Sequence, residues 1–136
     1  MIHYIDSCAL LKLLKTEAES TALRAWIKGL DGDDSLATSE LAELELTRSL
    51  TRYGVPDREI PEHVSGVLDL VDVASISQVI LRTATSYRIR RLGALDSIHL
   101  ATAEFMRSGL GYFVTYDKEL AAAAEDQGLK VVAPGA

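Results

Sequence analysis

Cysteine is nearly absent: Cys8 is the single one in 136 residues. An internal disulfide and a cysteine-cluster zinc site are thereby excluded, and a reducing, cytoplasmic setting is expected. Long apolar runs are missing too. No stretch approaches the ~20 apolar residues of a membrane span, and the start lacks the basic stretch, apolar run and cleavage site of a signal peptide. No membrane role is expected. There is no glycine-rich phosphate loop closed by lysine, no His-Glu-x-x-His and no Gly-x-Ser-x-Gly. His3, His63 and His99 are too dispersed to form a zinc triad; His99, three residues after Asp96, is read as a core histidine, the alternative being that it orients a ligand or water. Asp31-Gly32-Asp33-Asp34 opens like a calcium loop, but its twelfth position is Ala42 rather than a bidentate acid, so a polar turn is expected. Aromatic residues make up 6% of the chain and form no platform for stacking bases.

One further absence is local. Between Val73 and Leu95 there is no Asp or Glu, while Arg82, Arg88, Arg90 and Arg91 all fall there. This stretch of +4 sits in a chain of net charge −6. The overall sign argues against a protein that simply coats nucleic acid; the local strip is compatible with a polyanion lying across part of the surface, and equally with a solvated helix face or a contact for an acidic partner.

What is present is the composition of a folded protein, 48% hydrophobic and 25% charged. The length suits one domain, residues 1–136. Short apolar runs at Ile2–Ile5, Ser35–Thr38, Leu70–Val73, Tyr112–Thr115 and Lys130–Ala133 read as strands. Helical patterns near 8–14, 18–30, 39–53, 60–67, 78–91, 96–108 and 118–127 lie between them, with Gly109, Gly111 and Gly128 expected as C-terminal caps. Alternating strands and helices predict a three-layer α/β/α sandwich around a mostly parallel sheet of about five strands. The helices at 39–53 and 60–67, broken by Gly54-Val55-Pro56, read as an inserted helical hairpin.

Four acids stand at equivalent places in that pattern. Asp6 follows the first strand, Glu45 lies in the helix after the second, Asp96 begins a helix after Gly93-Ala94-Leu95, and Asp117 follows Tyr112–Thr115. In an open parallel sheet the carboxyl ends of the strands line one edge, where ligands bind. At a separation of ~6 Å and an effective dielectric of ~20, each like-charge pair is unfavourable by about 3 kcal/mol. A divalent cation would remove that penalty. Asp6 and Asp117 are equally well placed as helix N-caps, and Asp96 would be favoured in a first helical turn in any case.

Glu45 can be tested by helical phase. At 100° per residue from Leu41, the residues Leu44, Leu41, Ala42, Tyr53, Leu46 and Leu50 sweep one broad arc with Glu45 inside it. Glu40, Glu43, Thr47 and Thr51 fall in the polar gap. An inward carboxylate must be neutralised, paired or bound to metal. Arg48, one turn on, is the competing partner, and Arg52 projects on the same side.

These residues carry a resemblance. Tyr4-Ile5-Asp6-Ser7-Cys8-Ala9-Leu10, Glu45-Leu46-Thr47-Arg48-Ser49-Leu50, Leu95-Asp96-Ser97-Ile98-His99-Leu100-Ala101-Thr102-Ala103, Val114-Thr115-Tyr116-Asp117 and the closing Gly128–Gly135 segment resemble PIN-domain ribonucleases of the VapC type, the toxins of bacterial toxin–antitoxin pairs. The resemblance implies an acidic quartet, Asp6, Glu45, Asp96 and Asp117, that holds one or two Mg²⁺ or Mn²⁺ ions and cleaves RNA. Asp6 and Asp96 are then the leading direct ligands, with Ser7 and Thr115 as supporting donors. Arg48, Arg52, Arg88, Arg90 and Arg91 become candidates for phosphate contacts. A cognate VapB-type antitoxin whose C-terminal segment occludes the crevice, and a homodimer, are implied as well. The family's opening Asp-Thr-Ser reads Asp6-Ser7-Cys8 here: Ser7 keeps the hydroxyl, and Cys8, a soft ligand unsuited to Mg²⁺, is read as a packing residue. The rivals are a DNA structure-specific nuclease with the same metal chemistry, and a PIN-like module that binds RNA or a partner without cutting.

Overall fold

Tyr4 and Ile5 are neighbours in sequence and point to opposite faces of a sheet, and this alternation organises the molecule. The computed structural model describes residues 1–136. Five strands, β1 (Ile2–Ile5), β2 (Ser35–Ser39), β3 (Asp72–Ala74), β4 (Leu110–Val114) and β5 (Lys130–Val132), pair entirely in parallel in the order β3-β2-β1-β4-β5. Seven α-helices connect them: α1 (Ser7–Leu14), α2 (Ser20–Lys28), α3 (Leu41–Arg52), α4 (Ile60–Leu68), α5 (Gln78–Ser86), α6 (Ala94–Phe105) and α7 (Lys118–Asp126). The chain builds outward from β1 to β3, then returns to β1's other side with β4. β1 and β4 are therefore where the winding direction changes, and a crevice opens beyond their carboxyl ends.

Two cores cover the two faces. Ile5, Leu36 and Val114 meet Leu10, Leu23, Leu46, Leu50, Ile60 and Val64 from α1 to α4. On the other face Tyr4 and Phe113, stacked at 5.3 Å, meet Leu100, Ala103, Leu120 and Ala124 from α6 and α7. Both rings are fully buried, and truncating Phe113 to alanine is expected to cost about 3–5 kcal/mol. α3 and α4 form the expected helical hairpin. Gly54, at φ +80°, makes its turn, a conformation that a side chain would strain. No helix is long and apolar enough to cross a membrane.

Three local expectations are corrected. The helix expected to run to Arg91 stops at Ser86, because Tyr87, Ile89 and Leu92 pack onto the second core and Tyr87 hydrogen-bonds Glu104. Arg88, Arg90 and Arg91 thus lie on a loop rather than a helix face. Gly111 is not a cap but part of β4, where a Cβ would sit 2.5 Å from His3 Cε1. Cys8, expected to pack, faces solvent.

Candidate active site

β1 delivers Asp6 to the crevice. Its amide still donates to Val114 O (3.2 Å), extending the sheet by one bond, and its side chain then caps α1 by accepting from Ala9 N at 2.9 Å. The second carboxylate oxygen accepts from Thr115 Oγ1 at 2.5 Å. Thr115 follows β4 and in turn accepts from Asp117 N at 3.1 Å, so one hydroxyl joins two of the four acids. Asp117 caps α7, with Oδ1 accepting from Glu119 N and Leu120 N at 2.9 Å each. The capping reading holds for both of these aspartates.

Glu45 points inward as its phase predicts, while Glu40 and Glu43 are exposed. Leu44, placed inside the apolar arc, lies at its rim and is 56% exposed. Arg48 is not Glu45's partner. Oε1 instead accepts from Ser7 Oγ and lies against His99 Nε2, each at 2.6 Å. His99 is buried, and its Nδ1 is 2.5 Å from the Tyr4 hydroxyl. His99 is a core histidine, as the sequence suggests, but its contact with Glu45 is not legible there. A histidine three residues after Asp96 is the available signal, and nothing local ties it to a residue 54 positions away.

Asp96 differs from the other three. It sits half-buried in the first turn of α6, and its carboxylate has neither a hydrogen bond nor an ion pair. Burial, then the charge of Asp117, with Glu45 and Glu119 adding, holds its carboxyl above the usual range. Asp6 is pushed up to about 6. Burial is the largest cause, offset by His99, the Thr115 hydroxyl and the Ala9 amide, while Asp96 adds to the rise. Glu45 goes the other way: burial would raise it, but the hydrogen bond and charge of His99, with the Ser7 hydrogen bond, outweigh burial and keep it below its normal value. Asp117 and Glu45 act on Asp96, and Asp96 in turn acts on Asp6, so the four are electrostatically linked. They do not form a closed cage, for no three His, Cys, Asp or Glu side chains converge as a ready metal site. The hydrogen bonds just described hold three of the acids in separate orientations.

Two surface cavities near these acids carry basic residues. Arg48 and Arg52 line a cavity of about 240 Å³ with Glu45, Leu44 and Leu95. Arg90 and Arg91 line another of about 400 Å³ with Lys118 and Glu119, at the start of the helix that Asp117 caps. Arg91 pairs with Glu119 at 3.1 Å. Arg88 is turned away onto the carbonyls of Thr85 and Tyr87.

The PIN domain family matches residues 3–126. Among curated proteins, the chain is 43% identical over 136 positions to Ribonuclease VapC35 of Mycobacterium tuberculosis, covering 97% of this chain and 96% of the relative. Ribonuclease VapC47 of the same organism is 37% identical over 134 positions, covering 98% and 97%. The chain belongs to the PIN-domain family of VapC ribonucleases. Among solved structures, VapBC2 from Rickettsia felis, bound to a DNA fragment from its promoter, superposes with a TM-score of 0.78 at 11% identity, covering 98% of this chain and 99% of that one. Such distance in sequence with such agreement in shape is the mark of a shared PIN fold. Within the VapC scaffold, Asp6, Asp96 and Asp117 occupy helix starts, and Glu45 lies in α3 against Ser7 and His99.

Proposed function

We propose that this chain is a metal-dependent endoribonuclease that cuts phosphodiester bonds in single-stranded or looped RNA, and acts as the toxin of a type II pair neutralised by a VapB-type antitoxin. The observation that carries the reading is Asp96: a half-buried carboxylate without a protein partner, in the field of three other acids. Such a group is stabilised by a cation. All four donors are hard oxygens, which suits Mg²⁺ or Mn²⁺ rather than a soft metal. The lack of a closed cage fits an ion that keeps several waters and takes few carboxylates directly. Asp6 and Asp96 would hold it, with Glu45 and Asp117 engaging through water or a second ion. When bound, the ion supplies Lewis-acid polarisation of the phosphodiester and neutralises charge developing on its oxygens.

The protein's own part is orientation and proton handling. Thr115 and Ser7 fix the carboxylates of Asp6 and Glu45. Glu45 stays ionised across neutral pH and can orient an attacking water through Oε2, which no protein donor reaches. Arg90, Arg91 and Lys118 on one rim and Arg48 and Arg52 on the other would engage phosphates on either side of the cut. The antitoxin would cover the same crevice, and the toxin would assemble as a homodimer. Purified protein should cleave RNA in Mn²⁺ or Mg²⁺ and stop in EDTA, and Asp96→Asn should abolish cleavage with the fold intact. Undiminished cleavage by Asp96→Asn refutes the reading.

A further inference from the structure

The carboxylate of Glu45 is held at one oxygen only. Ser7 Oγ donates to Oε1 at 2.6 Å, and His99 Nε2 stands 2.6 Å from the same oxygen and 3.2 Å from Ser7 Oγ. Behind the ring, Nδ1 lies 2.5 Å from the Tyr4 hydroxyl. Tyr4 is fully buried and His99 is 1% exposed, whereas Glu45 is 22% exposed at the crevice wall. A carboxylate only accepts and a phenol can donate. In a neutral imidazole each of these contacts has a donor and an acceptor when Nε2 carries the proton and Nδ1 accepts from Tyr4. Four elements meet in this chain of contacts: β1 supplies Tyr4, α1 Ser7, α6 His99 and α3 Glu45.

We infer that His99 is a positioning residue for Glu45: together with Ser7 it occupies Oε1 and leaves Oε2 as the one oxygen Glu45 presents to the crevice. The inference rests on the nuclease reading and specifies one carboxylate within it. A glutamate has three rotatable side-chain bonds, and an unclamped one would spread its oxygens over several rotamers. Two donors on a single oxygen select one orientation. Because His99 lies one turn after Asp96 on α6, the same contact sets Glu45 on α3 relative to Asp96. A histidine that merely fills the core would lower stability when replaced, whatever stood at position 45.

The test compares His99→Gln, whose amide reaches where Nε2 stood, with His99→Asn, whose amide is too short. Single-turnover RNA cleavage should fall roughly tenfold to a hundredfold in kcat for His99→Asn, with KM little changed, and should largely survive in His99→Gln. In a Glu45→Gln background the same His99→Asn change should have no further effect on kcat. In the metal-free protein, imidazole ¹⁵N shifts should show Nε2 protonated. If His99→Asn fails to fold, Tyr4→Phe carries the test, with a several-fold fall in kcat that likewise vanishes beside Glu45→Gln. An undiminished kcat, an equal loss in both backgrounds, or an unprotonated Nε2 overturns the inference. Wild-type cleavage abolished by Asp96→Asn is the control: if that control fails, it is the nuclease reading that falls.

Discussion

Replacing Asp6 by asparagine should stabilise the metal-free protein at neutral pH, and the gain should shrink as the pH falls. Asp6 is 2% exposed, and its carboxyl is pushed from an ordinary 3.8 up to about 6 by burial, with the remaining charge of Asp96 adding. The native state therefore holds its proton more tightly than the unfolded chain. Between those two pKa values the folded form binds more protons, so this group's contribution to stability declines as pH rises. Integrated over the titration, ionising Asp6 weakens the fold by about 1 kcal/mol at pH 4.5 and about 3 kcal/mol at pH 7, and by nothing once both states are protonated. The substituted amide would keep an acceptor for Ala9 N, and the Thr115 hydroxyl can rotate to accept. Any change in those bonds is a constant offset, independent of pH. Urea unfolding in EDTA at pH 4.5, 5.5 and 7 gives the difference between variant and wild type directly. It should grow by about 2 kcal/mol from the lowest pH to the highest. A flat or shrinking difference would show that Asp6 is not a strained charge, and the cation argument would lose its main energetic support.

Glu45→Gln should lower RNA cleavage by at least tenfold while Glu43→Gln behaves as wild type, since only Glu45 reaches the crevice; the reverse pattern would put α3 in the wrong phase. Thr115→Val removes the hydroxyl that joins Asp6 to Asp117, and kcat should drop about tenfold to a hundredfold with the thermal midpoint lowered by a few degrees. Arg90→Gln with Arg91→Gln should raise KM, leave kcat nearly unchanged and flatten the salt dependence of RNA binding, measured by filter binding at several ionic strengths; an unaltered salt slope would move the RNA to the other rim. Mn²⁺ should raise the thermal midpoint of the wild type at pH 7 and leave that of Asp96→Asn where it was.

Much of this architecture can be read from single residues, because a parallel sheet imposes local rules. A strand that ends at Asp6, and another followed by Thr115 and Asp117, need breakers and caps at their carboxyl ends, and those residue types announce themselves. The phase of α3 separates Glu45 from Glu43 for the same reason: helical geometry is local. Leu44 shows where such reasoning thins, since a residue at the rim of an apolar arc can face a groove as readily as a core. The end of α5 is hidden because Arg88, Arg90 and Arg91 are good helix formers, and what stops the helix is distant: the packing of partly buried Tyr87, Ile89 and Leu92 against the second core. Gly111 reads as a cap because its neighbour His3 lies more than a hundred residues earlier. The link between His99 and Glu45 is invisible for the same reason. Non-local contacts set the orientation of the acids, and with it the absence of a closed metal cage.

These acids are expected to take up a divalent ion together. Anomalous diffraction from crystals soaked in Mn²⁺ answers this most directly. The expected result is a peak between Asp6 and Asp96, within direct or water-bridged reach of Glu45 and Asp117. A saturating soak with no peak there, or with Asp96 still unpartnered beside a filled site elsewhere, would contradict it.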